Sequence, residues 1–248
     1  MKYVYRRFIT INLWLRILLL ISIISVLIID LYLIHKHELF KNAAQLGTLY
    51  RNLCFAYITS FLFFFWNVHL QNYNAKVKSY QHVDNKVYNL RSMGISLVLS
   101  LEGKEINTFL SKYPLPEVSE IFNLCYKVDP NQPIKFNYRT FQNWFELSDF
   151  INQETRRTVN ELLIIKDVLD AELMTELINL TQYVDHLNRC HDSDLKSKDL
   201  AKWAVPIWDY AHACSVLSSK FDKKYRIYRD ESRKYQEKDA IKYKRAQH

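Results

Sequence analysis

Hydrophobic positions along this chain fall into two regimes. In the first 75 residues they run together. One apolar stretch extends from about Ile9 to Ile34 around an unbroken core Ile17–Ile29, and a second covers Leu53–Leu70. No Lys, Arg, Asp or Glu occurs between Asn52 and Ala75. A helix needs ~20 mostly apolar residues to cross a hydrocarbon core of ~30 Å. Both stretches therefore predict membrane-spanning helices, a two-helix hairpin over residues 1–75. Arg16 and Asp30 interrupt the first span near its borders, where long or terminal polar groups can reach outward at lower cost than at mid-bilayer.

From residue 76 onward the pattern becomes periodic. Tyr80, Val83, Val87, Leu90, Gly94, Leu97 and Leu101 recur at helical three- and four-residue steps, a heptad-like seam. It fits a helix packing inside its own bundle, or a self-associating stalk in which Gly94 permits close approach. Short helices are predicted at Ile106–Lys112 and Glu117–Tyr126, with Asp129–Pro133 as a turn-rich linker. Ile134, Phe136 and Tyr138 alternate like a strand without an obvious partner, so that segment is read as extended. Helical spacing resumes from about Phe141 and includes Val159, Leu162, Leu163 and Val168. Asp170 can cap a helix carrying Leu173, Leu177, Leu180, Val184 and Leu187, which His191–Asp194 should break. Pro206 suits the first turn of a last helix, with Ile207, Cys214, Leu217 and Phe221 on its buried face. The expected fold class is all-α: the hairpin, then a cytoplasmic helical bundle over 76–248 with a basic C-terminal tail, 223–248.

Composition removes several classes of chemistry. The 248 residues include three glycines, Gly47, Gly94 and Gly103, so no glycine-rich phosphate loop, dinucleotide fingerprint or nucleophile elbow can be written. The charge is uneven. Residues 1–75 hold seven basic against two acidic side chains, 76–222 hold 17 against 20, and 223–248 hold ten against four. Basic segments flanking apolar ones suit the anionic face of a membrane. Cys54, Cys125, Cys190 and Cys214 are widely spaced without a C-x-x-C pair, which reads as unpaired, buried thiols in a reducing compartment.

A cleaved signal peptide is the competing reading of residues 1–34, but no A-x-A-like site follows the first span, and the second span favours a retained anchor. Lys2, Arg6 and Arg7 precede the hairpin, and Lys76, Lys78, Lys86 and Arg91 follow it. Only Lys36, Lys41 and Arg51 fall in the connecting loop of about His35 to Arg51. That bias predicts both termini in the cytoplasm, with the Phe63–Trp66 aromatic cluster toward the inner interface.

Candidate chemistry is sparse. His186 and Cys190 are spaced to share a helix face, with His191 beside them, but no second ligand pair matches, so a structural role is preferred to a metal site. His212 and Cys214 point in different directions on a helix, unlike a Cys–His nucleophile. The acidic residues Asp167, Asp170, Glu172 and Glu176 suit helix starts, and Asn143–Glu146 reads as a packing contact. The expectation is no catalytic residue, no cofactor and no metal. Polar groups within the spans are of more interest: Arg16, Asp30, Ser60, Asn67 and His69, beside Ser22, Ser25, Tyr57 and Thr59. In an oligomer such groups could line a leak for ions or water. In the tail, Lys223, Lys224, Arg226, Arg229, Arg233 and Lys234 alternate with Tyr225, Tyr228 and Tyr235, with Tyr243 beyond. They fit a solvated helix, a contact with lipid or an acidic partner, or single-stranded nucleic acid.

The basic start (Lys2, Arg6, Arg7), the hairpin with its aromatic second helix and the helical domain behind it resemble the two-transmembrane-helix effectors of bacterial retron anti-phage systems. More locally the resemblance covers Asn143–Leu147, Glu161–Ile165 and Leu169–Leu173. It implies a toxin-like protein of the bacterial inner membrane, held silent by a reverse transcriptase with its RNA–DNA product and released on infection to perturb the membrane as a homo-oligomer. No functional residue is carried over, because such effectors offer no active-site motif to align. The alternative is a membrane-tethered adaptor whose helical domain recruits a protein or nucleoprotein.

Overall fold

The computed structural model describes residues 2–32, 42–104, 113–193 and 198–246. The chain is mostly helical and divides into two compact units, residues 1–76 and 77–248. The expected helix at Ile106–Lys112 lies outside the described residues.

The first unit begins with α1 (Lys2–Ile9) and α2 (Leu13–Leu31). The first apolar run is therefore not one helix from Ile9. Thr10 Oγ donates to the Arg7 carbonyl at 2.7 Å, and Asn12 turns extended and accepts the Trp14 N–H at 2.9 Å. An Asn side chain at this position satisfies a donor that a helix start leaves open, so α2 starts afresh at Leu13. α3 (Ala43–Phe64) begins ten residues ahead of the expected Leu53 and continues through a π turn, Phe65–His69, into α4 (Leu70–Leu101). Arg51 is thus a helical residue and not part of the loop. Ile11, Leu19, Phe61 and Phe65 form the buried centre of this unit, flanked by Phe8, Leu15, Tyr57 and Ile58.

The second unit is built around the C-terminal part of α4, where every residue from Met93 to Leu99 is buried. Around it lie α5 (Val118–Cys125), α6 (Trp144–Ile164), α7 (Ala171–Ser193) and α8 (Ala204–Ala246). α7 packs on α6 and α8, and α5 on α8. The heptad seam of α4 is buried in this unit, so it belongs to the bundle core and is not a free stalk. At Gly94 an added Cβ would stand 3.0 Å from Cys214 Cβ and 3.1 Å from Ala211 Cα, so α4 and α8 touch backbone to backbone there. α7 buries Leu173, Leu177, Leu180, Val184 and Leu187 and runs through His191 to Ser193, past the expected break.

Two segments depart from the sequence expectation. Ile134–Phe136 (β1) is a strand with a partner, Arg139–Phe141 (β2), in the register Ile134↔Phe141, Lys135↔Thr140 and Phe136↔Arg139. Asn137 makes the tight turn at φ 53°, a left-handed conformation that asparagine tolerates better than most residues. Tyr138 therefore sits at the turn and not in the strand. Ile134, Phe136 and Phe141 bury one side, and Phe141 meets Phe150 of α6 at 5.1 Å. α6 starts at a reciprocal cap. Asn143 accepts the Glu146 N–H at 2.8 Å, and Glu146 Oε2 accepts the Gln142 N–H at 2.7 Å.

The second departure concerns the tail. Residues 223–232 are not a separate solvated extension, because Tyr225, Tyr228, Glu231 and Ser232 of α8 are buried. Phe221 stacks on Tyr80 at 5.6 Å and on Tyr225 at 4.9 Å, and the Tyr225 hydroxyl accepts the Asp170 N–H at 2.9 Å. Helices in proteins draw most of their stability from packing of one face, and this part of α8 is held by tertiary burial.

Replacing Gly94 by alanine is expected to force α4 and α8 apart and to lower stability by about 1–3 kcal/mol, read as a drop in the thermal unfolding midpoint. The same change at Gly47, where nothing among the described residues lies within 4 Å, should leave the midpoint unchanged or slightly higher.

Candidate functional site

The residues singled out in the first unit fall into two polar belts with an apolar stretch between them. At one end of α2, Asp30 meets Arg51 of α3 in a two-point pair, Nε to Oδ1 at 2.7 Å and Nη2 to Oδ2 at 3.2 Å. The Arg51 guanidinium also lies 5.4 Å from the Phe55 ring. Nearby, the Ser25 and Tyr50 hydroxyls are 3.1 Å apart. At the other end, His69 Nε2 stands 2.9 Å from the Arg7 carbonyl and 3.0 Å from Thr10 Oγ. The Arg7 guanidinium covers the Tyr73 ring at 5.4 Å, and Phe65 stacks on the imidazole at 5.8 Å.

The π turn matters here. One extra residue per turn changes the phase of the helix between Phe65 and His69, and His69 is the residue within it that bonds to the α1–α2 junction. With a rise of 1.5 Å per residue, Leu13 to Asp30 spans about 26 Å and Arg51 to His69 about 27 Å. Those lengths approach the ~30 Å thickness of a bilayer core. Between the belts most side chains face outward and are apolar, among them Leu20, Ile24, Leu27, Leu53, Leu62 and Phe63. Tyr57 closes one gap by donating to the Leu15 carbonyl at 2.9 Å. The two helices, Leu13–Leu31 and the one beginning at Ala43, are long and apolar enough to cross a membrane.

The sequence-selected polar residues do not act alike. Asp30 and His69 are tied into the belts. Asn67 bonds back to the Phe63 carbonyl at 3.2 Å, and Ser60 is exposed near the C-terminal end of α3. Arg16 is half-buried on α2, with its Nε enclosed and without a hydrogen-bond partner among the described residues. These groups do not converge on one point, and the Asp30–Arg51 pair is not legible in the sequence, because it needs α3 to begin ahead of its apolar segment.

The basic residues of α8 divide as well. Lys224 reaches Glu172 at 3.2 Å and Asp170 at 3.7 Å, and Lys220 reaches Glu176 at 2.7 Å. The Lys224 hydrogen bond holds the Glu172 carboxyl below the usual carboxylate range. Arg229 donates to the Tyr80 hydroxyl at 3.0 Å and pairs with Asp222 at 3.0 Å. All three cations therefore serve the bundle. Lys223, Arg226, Arg233 and Lys234 are exposed. Tyr225 and Tyr228 are buried and so cannot stack on bases; Tyr243 lies outside the residues whose side chains are described.

Cys125 and Cys214 are enclosed, and burial pushes both thiols up to about 12, which keeps them inert near neutral pH. Cys54 is buried too, whereas Cys190 is only half-buried, with Sγ 3.6 Å from the His186 carbonyl. His212 is exposed and stacks flat on Trp208 at 4.6 Å, separated in environment from Cys214. Among the described residues no group of three His, Cys, Asp or Glu side chains is placed to hold a metal ion; the His191 side chain lies outside them. Compared with known protein families, with curated proteins and with solved structures, the chain matches none.

Replacing Asp30 by asparagine should leave Arg51 without its counter-ion and destabilise the first unit. The half-exposed pair sets the loss at about 1 kcal/mol. Exchanging the two residues (Asp30→Arg with Arg51→Asp) should recover most of it, read as the unfolding midpoint of the detergent-solubilised chain.

Proposed function

We propose that this chain is a membrane-embedded effector of a bacterial anti-phage system of the retron, abortive-infection type. In this reading the hairpin spans the inner membrane with both termini in the cytoplasm. Held silent by a reverse transcriptase and its RNA–DNA product, the protein is released on infection, oligomerises and perturbs the membrane. The observation that carries the membrane part is the outward apolar surface between two polar belts about 26 Å apart. In water such a surface would drive aggregation, whereas in a bilayer it is solvated and the belts meet the two interfaces. The effector part rests on the resemblance in architecture and on polar groups such as Ser60 on α3 and Asn67 in the π turn after it, which copies of the hairpin can turn toward one another.

A specific surface favours the second reading, a tethered adaptor. Val118 and Phe122 of α5 and Tyr126 at its C-cap follow one another at four-residue steps and are all exposed, which is the pattern of a helix face that meets a protein partner.

The test is membrane potential, read with a voltage-sensitive dye after inducing the protein alone in a bacterium, beside a variant with Leu19, Ile24 and Ile28 changed to lysine. The effector reading expects rapid depolarisation by the native chain only. If the native chain stays silent even with its genomic neighbours and a phage challenge, and an unrelated two-helix anchor preserves protection, the adaptor reading replaces it.

A further inference from the structure

The described arginine side chains of the first unit are held in different ways. Arg51 is forked to Asp30 and Arg7 covers the Tyr73 ring, whereas Arg16 has neither a carboxylate nor an aromatic face beside it among the described residues. The Arg16 side chain is half-buried. Its Nε is enclosed and unpaired, which fixes the stem, while the two Nη groups stay open. A guanidinium keeps its charge at any physiological pH. Arg16 also sits in the first turn of α2, where the helix dipole disfavours a cation. Charge, burial and dipole all call for an anion beside it.

No carboxylate of the hairpin is placed to be that anion. The acidic residues of the first unit are Asp30 and Glu38, and the next along the chain is Asp84, in the second unit. Asp30 is already paired with Arg51 and stands about 21 Å further along α2. Glu38 falls in sequence beyond Asp30, between α2 and α3. Copies of the hairpin inserted in one membrane share an orientation, so a neighbour's Asp30 lies at the same far level.

The surroundings of Arg16 give its depth. It stands about 4.5 Å along α2 from Leu13, close to the belt where His69 bonds to Arg7 and Thr10. Trp14 and Trp66, the two tryptophans of the first unit, are both exposed and near that belt in sequence. Tryptophan collects at the membrane–water interface, and an arginine just inside that interface reaches the headgroup level with its charged end. The anion that stands at this level in a bilayer is the lipid phosphate.

We propose that Arg16 holds the phosphodiester of a glycerophospholipid in the leaflet that contains the His69 belt, its open Nη groups donating to the phosphate oxygens. An anionic headgroup such as phosphatidylglycerol is favoured over phosphatidylethanolamine, whose ammonium offsets the phosphate charge and competes for its oxygens. The inference rests on the membrane reading of the hairpin and adds the lipid class that the hairpin selects.

The experiment is native mass spectrometry of the detergent-solubilised full chain, titrated with phosphatidylglycerol, phosphatidylethanolamine and a diacylglycerol of the same acyl chains. Saturable retention of phosphatidylglycerol is expected, ahead of phosphatidylethanolamine, with diacylglycerol not retained and inorganic phosphate unable to displace the lipid. Arg16→Gln should weaken retention about tenfold or more, and Arg16→Lys, which keeps the charge without the fork, should fall between. Lys127→Ala, an exposed cation of the second unit, should change nothing. Phosphatidylglycerol should raise the unfolding midpoint of the native chain more than that of Arg16→Gln, and matching midpoints without lipid are the check that the variant folds. Flotation with liposomes separates this inference from the membrane reading, since the native chain and Arg16→Gln should both float. If both float, equal retention of phosphatidylglycerol by the two, retention of diacylglycerol as strong as that of phosphatidylglycerol, or displacement by inorganic phosphate overturns the lipid assignment alone. A native chain that stays unbound to liposomes overturns the membrane reading as well.

Discussion

An apolar hairpin that turns most of its side chains outward holds its shape only if its polar groups find one another. In this chain they do so at two levels. The Asp30–Arg51 fork fixes one end of the α2–α3 pair, and the contacts of His69 with Thr10 and Arg7 fix the other. Between them the register is kept by a small buried centre and by Tyr57 reaching the Leu15 carbonyl. Hydrocarbon offers no replacement for a missing hydrogen bond. Loss of either belt would thus leave groups that only an interface or another protein surface could satisfy.

The second unit follows a different rule. Its centre is a helix segment buried on all sides, Met93–Leu99, and it tolerates that burial because Gly94 lets the α8 backbone come within van der Waals distance. α8 then serves both ends of the bundle. Its first half covers α4, and its second half sends Tyr225 to the turn between α6 and α7 and Arg229 to Tyr80. Lys220 and Lys224 of α8 pair with the acidic start of α7, and Arg229 with Asp222, so part of the basic charge that stands out in the sequence is used inside the fold while Lys223, Arg226, Arg233 and Lys234 stay exposed.

How far the sequence carried this picture depends on the range of the interaction. Helical spacing located the buried faces of α4, α7 and α8 residue by residue, because burial of a helix stripe is a local, periodic property. The breaks were harder. Asn12 interrupts the first apolar run through a cap that hydropathy does not register, and Asn137 closes a hairpin whose two strands are too short to announce themselves. The Asp30–Arg51 pair joins residues 21 apart and depends on α3 beginning at Ala43, well before its apolar segment. The basic α8 residues looked alike in sequence; their partners lie on α4 and α7, and only the packed bundle separates Lys224 and Arg229 from Lys223 and Arg226.

The central claim is that the stretch between the belts faces lipid. The direct measurement is spin-label accessibility in liposomes, with the four native cysteines replaced and single labels placed at Leu27, Leu62 and Gln45. The account predicts that labels at Leu27 and Leu62 meet dissolved oxygen and not a water-soluble nickel chelate, whereas the label at Gln45, beyond the Asp30–Arg51 belt, meets the chelate. Free access of the chelate to Leu27 and Leu62 would contradict it.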